Sequence, residues 1–535
     1  MLEIKNIGGI EIFRSSQDHE RRIYNDVKNE VFKKFSPGRY TDKPKIVDIV
    51  NLMYTQYYKI LDENLPLIDP RNLSTFLICE YERYGQVSDS YKLQKLCGED
   101  EQFWLSYGIH ARRGIKHILE LLCRSKMETS QIGDTKEVQE DAISMVFIAA
   151  EELVSLYMRS DNYRHMLDEV TLILDPEQHT YFNVQQDGNI KYDIREDVRD
   201  ISKYVPTPMY LQDTKAHGDI LDNSFIETLG LSYLNTIGTL QWAIYNYSDS
   251  EDPEAIGWFD WEEAVRAMQH AFNITKSQAE LILEGFSLAA DAMEERKLTR
   301  PKQEYRAYKR AFFKDCYNGK NLVFFSRRMA LECLTLLVSD VPFRKLPPEW
   351  QSSSVSKALN DLSLKSGRWF EKIVEQNLKD IGITGSSSVK SLNFGKGSRL
   401  KIPNKVGEID FLGFHEEQKL LVIIEVKQVG FSTEPRMFLD DLSKFIKNKD
   451  NYSDKFIKKY KWAMENIESI EEHFVHNFNL TAKLNVAGYA MITLYPTMVA
   501  SKISEFSCIS LSEFRRKYQA DEKWPFSKTL LSAQQ

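Results

Sequence analysis

Two short apolar segments carry the residues best placed to do chemistry. The first reads Gly407-Glu-Ile-Asp410-Phe-Leu-Gly-Phe414, and the second reads Leu420-Leu-Val-Ile-Ile-Glu425-Val-Lys427-Gln428. Their composition predicts strands over residues 406–414 and 420–428, joined by the polar turn 415–419 as an antiparallel hairpin. Strand side chains alternate with a period of two. Glu425 and Lys427 therefore share one face, with Val422, Ile424 and Val426 on the other. In the first strand Glu408, Asp410 and Leu412 share a face, so Asp410, Glu425 and Lys427 are expected to converge.

A hairpin this apolar is expected to be buried, and burying its charges is costly unless they pair or bind a metal. Two carboxylates and an ammonium are what a hard divalent cation and a phosphodiester require. The carboxylates hold Mg²⁺ through oxygen. The metal polarises the phosphate and acidifies a bound water, and the lysine positions that water or neutralises charge on the phosphorus oxygens.

The element expected to supply a fourth group is a helix over residues 366–381. Phe370, Ile373, Val374, Leu378 and Ile381 form one apolar stripe at 3.6-residue spacing. Glu371 falls about 85° from the centre of that stripe, at its margin, where a carboxylate can reach a site on the sheet. Glu375 falls further out and is expected to be solvated.

The order Gly367-Arg-Trp-Phe-Glu371, Gly407-Glu-Ile-Asp410, Ile423-Ile-Glu425-Val-Lys427 resembles the PD-(D/E)XK nuclease superfamily, the restriction-endonuclease-like fold. The resemblance covers residues 360–515 and includes a later strand, residues 486–494, and a helix at 511–518. It implies that Asp410, Glu425 and Glu371 bind Mg²⁺, with Mn²⁺ as a substitute, and that Asp410, Glu425, Lys427 and Glu371 are catalytic. Gln428 is a weaker candidate for touching phosphate or a metal-bound water. Ile409 stands where the family pattern has proline.

An E-x-K triplet alone carries little information. Glu3-Ile-Lys5, Glu295-Arg-Lys297 and Glu417-Gln-Lys419 match it too. What sets Glu425-Val-Lys427 apart is its place at the end of an apolar strand, downstream of an aspartate in the partner strand.

Other signals are weaker. Lysines 444, 447, 449, 455, 458, 459 and 461, interleaved with Phe445, Tyr452, Phe456, Tyr460 and Trp462, lie in a long helix expected over residues 435–468. It reads equally as a phosphate-tracking face or as a solvated amphipathic helix with core aromatics. Residues 260–286 fit a helical hairpin better than a DNA-reading helix-turn-helix, because the neighbourhood is acidic. His473 and His476 have the i, i+3 spacing of a metal pair but read more simply as surface histidines. The stretch Gly395-Lys-Gly-Ser-Arg399 lacks phosphate-loop spacing and is expected near the site.

The chain has 535 residues, enough for more than one core. Residues 1–340 are expected to be a mostly helical regulatory or recognition region, with helices around 142–156, 224–247 and 276–297 and a small β-hairpin at 181–194. Pro342, Pro347, Pro348 and the Ser352–Ser354 run place a linker at 341–356. Residues 357–535 are expected to form an α/β nuclease-like domain with a mixed central sheet.

The net charge of −8 is unevenly spread. Residues 351–535 carry 27 Lys and Arg against 22 Asp and Glu, leaving 43 against 56 elsewhere. Only the C-terminal third is basic, which suits phosphate contacts; the acidic remainder suits a protein partner. No apolar run reaches membrane length, no signal peptide is visible, and six scattered cysteines fit a reducing, cytoplasmic setting.

The reading is a Mg²⁺-dependent endonuclease with DNA favoured over RNA. A homodimer or higher oligomer suits it, because two strands need two sites. By analogy such fusions resemble bacterial antiviral defence or restriction effectors. The rivals are a non-catalytic nuclease-fold sensor or assembly protein and a structure-specific DNA repair nuclease.

Overall fold

The protein is described by a computed structural model covering all residues except 1, 125–131, 134, 168, 186–193, 207–209, 249–255, 294–302, 318, 396, 433–434 and 532–535. The chain divides into two compact units. One holds residues 1–188 and 214–359, and the other 189–213 and 360–535. Among the described residues no helix is long and apolar enough to cross a membrane.

The first unit is mainly helical, as expected. The long helices Lys43–Asn64 and Lys136–Asp161 pack together, with Pro70–Lys92 and Ile109–Arg124 alongside. Its β content exceeds the single hairpin foreseen. Leu2–Ile7 pairs Ile10–Ser15, Gly38–Tyr40 pairs Thr171–Leu174, and a four-stranded sheet gathers Gly257–Asp260, Lys320–Phe325, Phe312–Tyr317 and Ser287–Leu288. In that sheet Phe312 packs edge-to-face on Phe259 and Phe286 and at a tilt on Phe325.

Of the expected hairpin at 181–194, Phe182–Gln185 is a strand, but it pairs upstream with Thr171–Leu174. Its expected turn and residues 190–193 lie outside the described residues. Ile194 opens a helix instead.

Two expected helices are broken, each for a local reason. Residues 224–247 form parts of Thr214–Leu229 and Tyr233–Asn246, because Gly230 takes a left-handed φ of 76° and Ser232 caps the second helix. The helix at Lys276 ends at Glu284, where Gly285 lies against Trp350 with no room for a Cβ. Before it, Trp261–Phe272 ends at the left-handed Asn273 and Thr275 builds a capping box, giving the simple helical hairpin.

Residues 341–356 are not an open linker. Val341 and Trp350 are fully buried, the Trp350 indole donates to the Leu281 carbonyl, and the segment belongs to the first unit. Prolines here shape two 3₁₀ turns, Val341–Phe343 and Pro348–Trp350, that pack rather than dangle.

The second unit is the expected α/β region. It begins with α1 (Ile194–Tyr204), recruited from ahead of the expected boundary, followed by the part of α2 (Ser353–Lys379) from residue 360 onward; α2 starts 13 residues before the expected helix. Then come β1 (Thr384–Val389), the small hairpin β2 (Ser391–Asn393) and β3 (Arg399–Lys401), β4 (Ile409–His415) and β5 (Leu420–Lys427). Three helices follow: α3 (Pro435–Leu442), α4 (Tyr452–Glu465) and α5 (Ile467–Phe478). The unit closes with β6 (Val486–Thr493), β7 (Ser507–Ser510), α6 (Leu511–Asp521) and β8 (Lys528–Leu530).

The central sheet is mixed, in the order β1-β4-β5-β6-β7. β1 and β4 are antiparallel, as are β4 and β5, whereas β6 runs parallel to β5 and β7 parallel to β6. β8 pairs antiparallel with the first half of β6. A parallel β5–β6 pair requires a long crossover, and α3, α4 and α5 supply it. Every residue of β5 except Lys427 is buried, as expected for a central strand covered on both faces. The α2 stripe Phe370, Val374 and Leu378 is likewise fully buried.

Candidate active site

The hairpin β4–β5 sets the site. Phe411 stands opposite Ile424 and Leu412 opposite Ile423, so Asp410 and Glu425 come next on one face. Asp410 Oδ2 accepts the Val426 backbone N–H at 2.9 Å, which ties the carboxylate to the neighbouring strand.

The Lys427 ammonium lies 2.6 Å from Glu425 Oε1 and 3.3 Å from Asp410 Oδ2, and donates to the Val426 carbonyl at 3.0 Å. The three residues singled out by strand alternation are therefore in contact. Above them, the Tyr452 ring lies 5.4 Å from the Lys427 ammonium.

A fourth charge joins them that sequence reasoning placed only in a basic helix. Lys459 of α4 is buried, and its Nζ lies 2.8 Å from Asp410 Oδ1 and 2.5 Å from Glu425 Oε2. The signal was present. Lys459 sits three residues from Phe456 and from Trp462, both buried, so a lysine occupies a core position of an amphipathic helix. A buried lysine without a partner is very costly, and that alone points to acids across the interface.

The result is a neutral square: two carboxylates, each bridged by both ammoniums. Burial pushes the Asp410 carboxyl up, but Lys427, Lys459 and the Val426 N–H outweigh it and hold the group below its ordinary range. Burial pulls Lys427 down, yet Glu425 and Asp410 more than reverse this, so Lys427 is held protonated well above ordinary lysine.

Glu371 stands beside this square. Its Oε2 accepts the Ser388 hydroxyl at 3.1 Å, and Asp410, Glu408 and Lys427 all act on it electrostatically. Burial, then the charge of Asp410, raise its carboxyl above the ordinary value; Glu408 adds to this. Ser388 falls between residues paired with Phe411 and Ile409, level with Asp410, and takes a left-handed φ of 55°. A serine in that conformation stores about 1–3 kcal/mol of strain, typical of positions that aim a functional group.

The remaining candidates lie elsewhere. Gln428 Nε2 donates to Ser366 Oγ on α2. Glu375 is not free in solvent but accepts from Ser387 and pairs with Lys379. His473 is buried rather than at the surface, and its Nδ1 accepts the Asn393 backbone N–H at 3.0 Å. The expected 435–468 helix breaks at 448–451, where Asp450 is left-handed and Asn451 caps α4 while donating to the Ile446 and Asn448 carbonyls.

Among the described residues, no three His, Cys, Asp or Glu side chains form a metal-holding group. The donor set nevertheless fits a hard cation. Asp410 Oδ1 and Glu425 Oε2 converge on the single point held by the Lys459 nitrogen, and Asp410 Oδ2, Glu425 Oε1 and the Val426 carbonyl converge on that of Lys427. Each ammonium lies between carboxylate oxygens, and oxygens so placed are of the kind that could hold Mg²⁺, which commonly takes one or two carboxylates and fills its shell with water and phosphate. Comparison of the chain with protein-family models, curated proteins and solved structures finds no match.

Proposed function

We propose that the second unit is a Mg²⁺-dependent nuclease of the PD-(D/E)XK, restriction-endonuclease-like type, cutting phosphodiester bonds in nucleic acid, with DNA favoured. The observation that carries this reading is the pair Asp410 and Glu425, on neighbouring strands, converging on shared cation positions beside Lys427.

In this reading Asp410 and Glu425 would hold the metal, with Glu371 at the edge of the site. When bound, the metal polarises the phosphate and acidifies a water. Lys427, held as an ammonium, is a hydrogen-bond donor rather than a base. It neutralises charge building on the phosphorus oxygens as water attacks and the P–O bond breaks. Glu371, raised by its surroundings, is suited to accept the proton that the water gives up.

One observation favours a second reading. Lys427 and Lys459 already neutralise both carboxylates, as they would in a nuclease fold retained only as a binding platform.

Incubating the full chain with plasmid, single-stranded DNA and RNA in Mg²⁺, Mn²⁺ or EDTA separates the two. The nuclease reading expects metal-dependent cleavage that Asp410→Asn and Lys427→Ala abolish while the fold persists. Absence of cleavage, together with Mn²⁺ titration calorimetry that Asp410→Asn leaves unchanged, refutes it in favour of the platform.

A further inference from the structure

The positive charge of the C-terminal third is not spread over it. Residues 390–405 carry five Lys and Arg and no acid, and residues 444–461 carry seven Lys against two Asp. The rest of residues 351–535 carries 15 basic residues against 20 acidic and is net negative. Two segments thus account for the whole excess.

Both segments are anchored at the carboxylate–lysine square. The first contains the β2–β3 hairpin. Its root is Lys390, next to the Val389 that pairs with Ile409, the residue before Asp410. The Ile402 N–H closes the hairpin onto the Lys390 carbonyl, and Lys390 pairs with Glu408 at 3.1 Å. The second segment spans the end of the α3 region and α4. It places Tyr452 over Lys427 and Lys459 between the two carboxylates.

Within these segments Lys390, Lys458 and Lys459 have acidic partners. Arg399, Lys401 and Lys405 on the first, and Lys447, Lys449 and Lys455 on the second, are exposed and form no ion pair among the described residues. Exposed like charges that form no ion pair repel one another, so their natural complement is a polyanion. Elsewhere in the second unit exposed lysines do pair with acids, as in Lys379–Glu375 and Lys517–Glu513.

We propose that these two segments are the docking surface for the phosphate backbone of the nucleic acid, delivering it to Asp410 and Glu425. The β2–β3 hairpin grips it on the β4 side of the site, and the α3–α4 segment on the side of Lys427. The fate of the docked strand rests on the nuclease reading, whereas the test of docking reads binding alone.

Fluorescence anisotropy of a labelled DNA duplex with the full chain in EDTA, across a salt series, measures the number of phosphates engaged. Each neutralised phosphate contributes about 0.9 to the slope of log K against log salt on duplex DNA. Reversing Arg399, Lys401 and Lys405 together to Glu is expected to lower that slope by about 2.7 and weaken binding, as is Lys447→Glu with Lys449→Glu and Lys455→Glu. The charge-conserving Lys→Arg and Arg→Lys versions should bind as the wild type does, which excludes misfolding as the cause. A slope unchanged in both triple variants, or no binding to duplex, single strand or RNA, overturns the proposal. Docking that responds as expected without any cleavage in Mg²⁺ or Mn²⁺ would leave this surface standing and remove the nuclease reading instead.

Discussion

Lys459→Met tests the neutral square most directly. The methionine keeps the apolar stem of the lysine and removes the ammonium that bridges Asp410 and Glu425. Losing one partner of a buried ion pair costs about 3–5 kcal/mol, because the remaining charge is left uncompensated. Lys427 still touches both carboxylates, so the lower end applies, about 3 kcal/mol. In a unit of about 200 residues, each kcal/mol moves the midpoint by about 2–4 °C, giving a fall of about 6–12 °C in EDTA. A divalent cation should then refill the vacated position. At one hundred times its Kd it restores about 2.7 kcal/mol, nearly the whole loss. The wild type should gain less from the same ion, since its own ammonium must first be displaced. Scanning calorimetry of the full chain in EDTA and in Mn²⁺ measures both. A variant that melts with the wild type in EDTA, or gains no more from Mn²⁺ than the wild type does, refutes the reasoning.

The charges also set a pH dependence. Asp410 is held below the ordinary carboxylate range, so its contribution is complete above about pH 4 and is lost as pH falls through its lowered folded value. Lys427 is held above ordinary lysine, so its contribution is complete below about pH 10 and is lost as pH rises beyond that through its raised value. Thermal melts of Asp410→Asn should therefore differ from the wild type at pH 7 and converge with it in strong acid. Glu371 behaves in the opposite sense, because its raised carboxyl makes folding favour the protonated form. Glu371→Gln should melt at or above the wild type at pH 7, with the gap closing near pH 4; a lower midpoint at pH 7 would show that the ionised form is stabilised.

The parts of the site that sequence made legible are those governed by local periodicity. A period of two put Asp410, Glu425 and Lys427 on one face, and the 3.6 period put Glu371 at the margin of its stripe, where it meets Ser388 and the field of Asp410. Lys459 was hidden because its partners lie 34 and 49 residues away and six other lysines share its neighbourhood. The bond of the Gln428 amide to Ser366 on α2 was not foreseen, because spacing does not encode it. The breaks at Gly230 and Gly285 had visible glycine signals, but apolar spacing ran through both and concealed them. The boundary was harder for a different reason. Prolines marked 341–356, yet Trp350 buries that stretch, and only tertiary packing assigns residues 189–213 to the second unit.

The wide sequence separation of the two lysines also orders events in time. Lys427 ends β5 and is present as soon as the hairpin leaves the ribosome. Lys459 comes 34 residues after Glu425, roughly 2–7 seconds of synthesis at ordinary elongation rates. For that interval the nascent hairpin carries two acids and a single internal cation, and it cannot bury them cheaply. Full compensation of both acids therefore needs α4 as well as the hairpin, and the strand that flanks β5 on its other side, β6, follows later still in the chain.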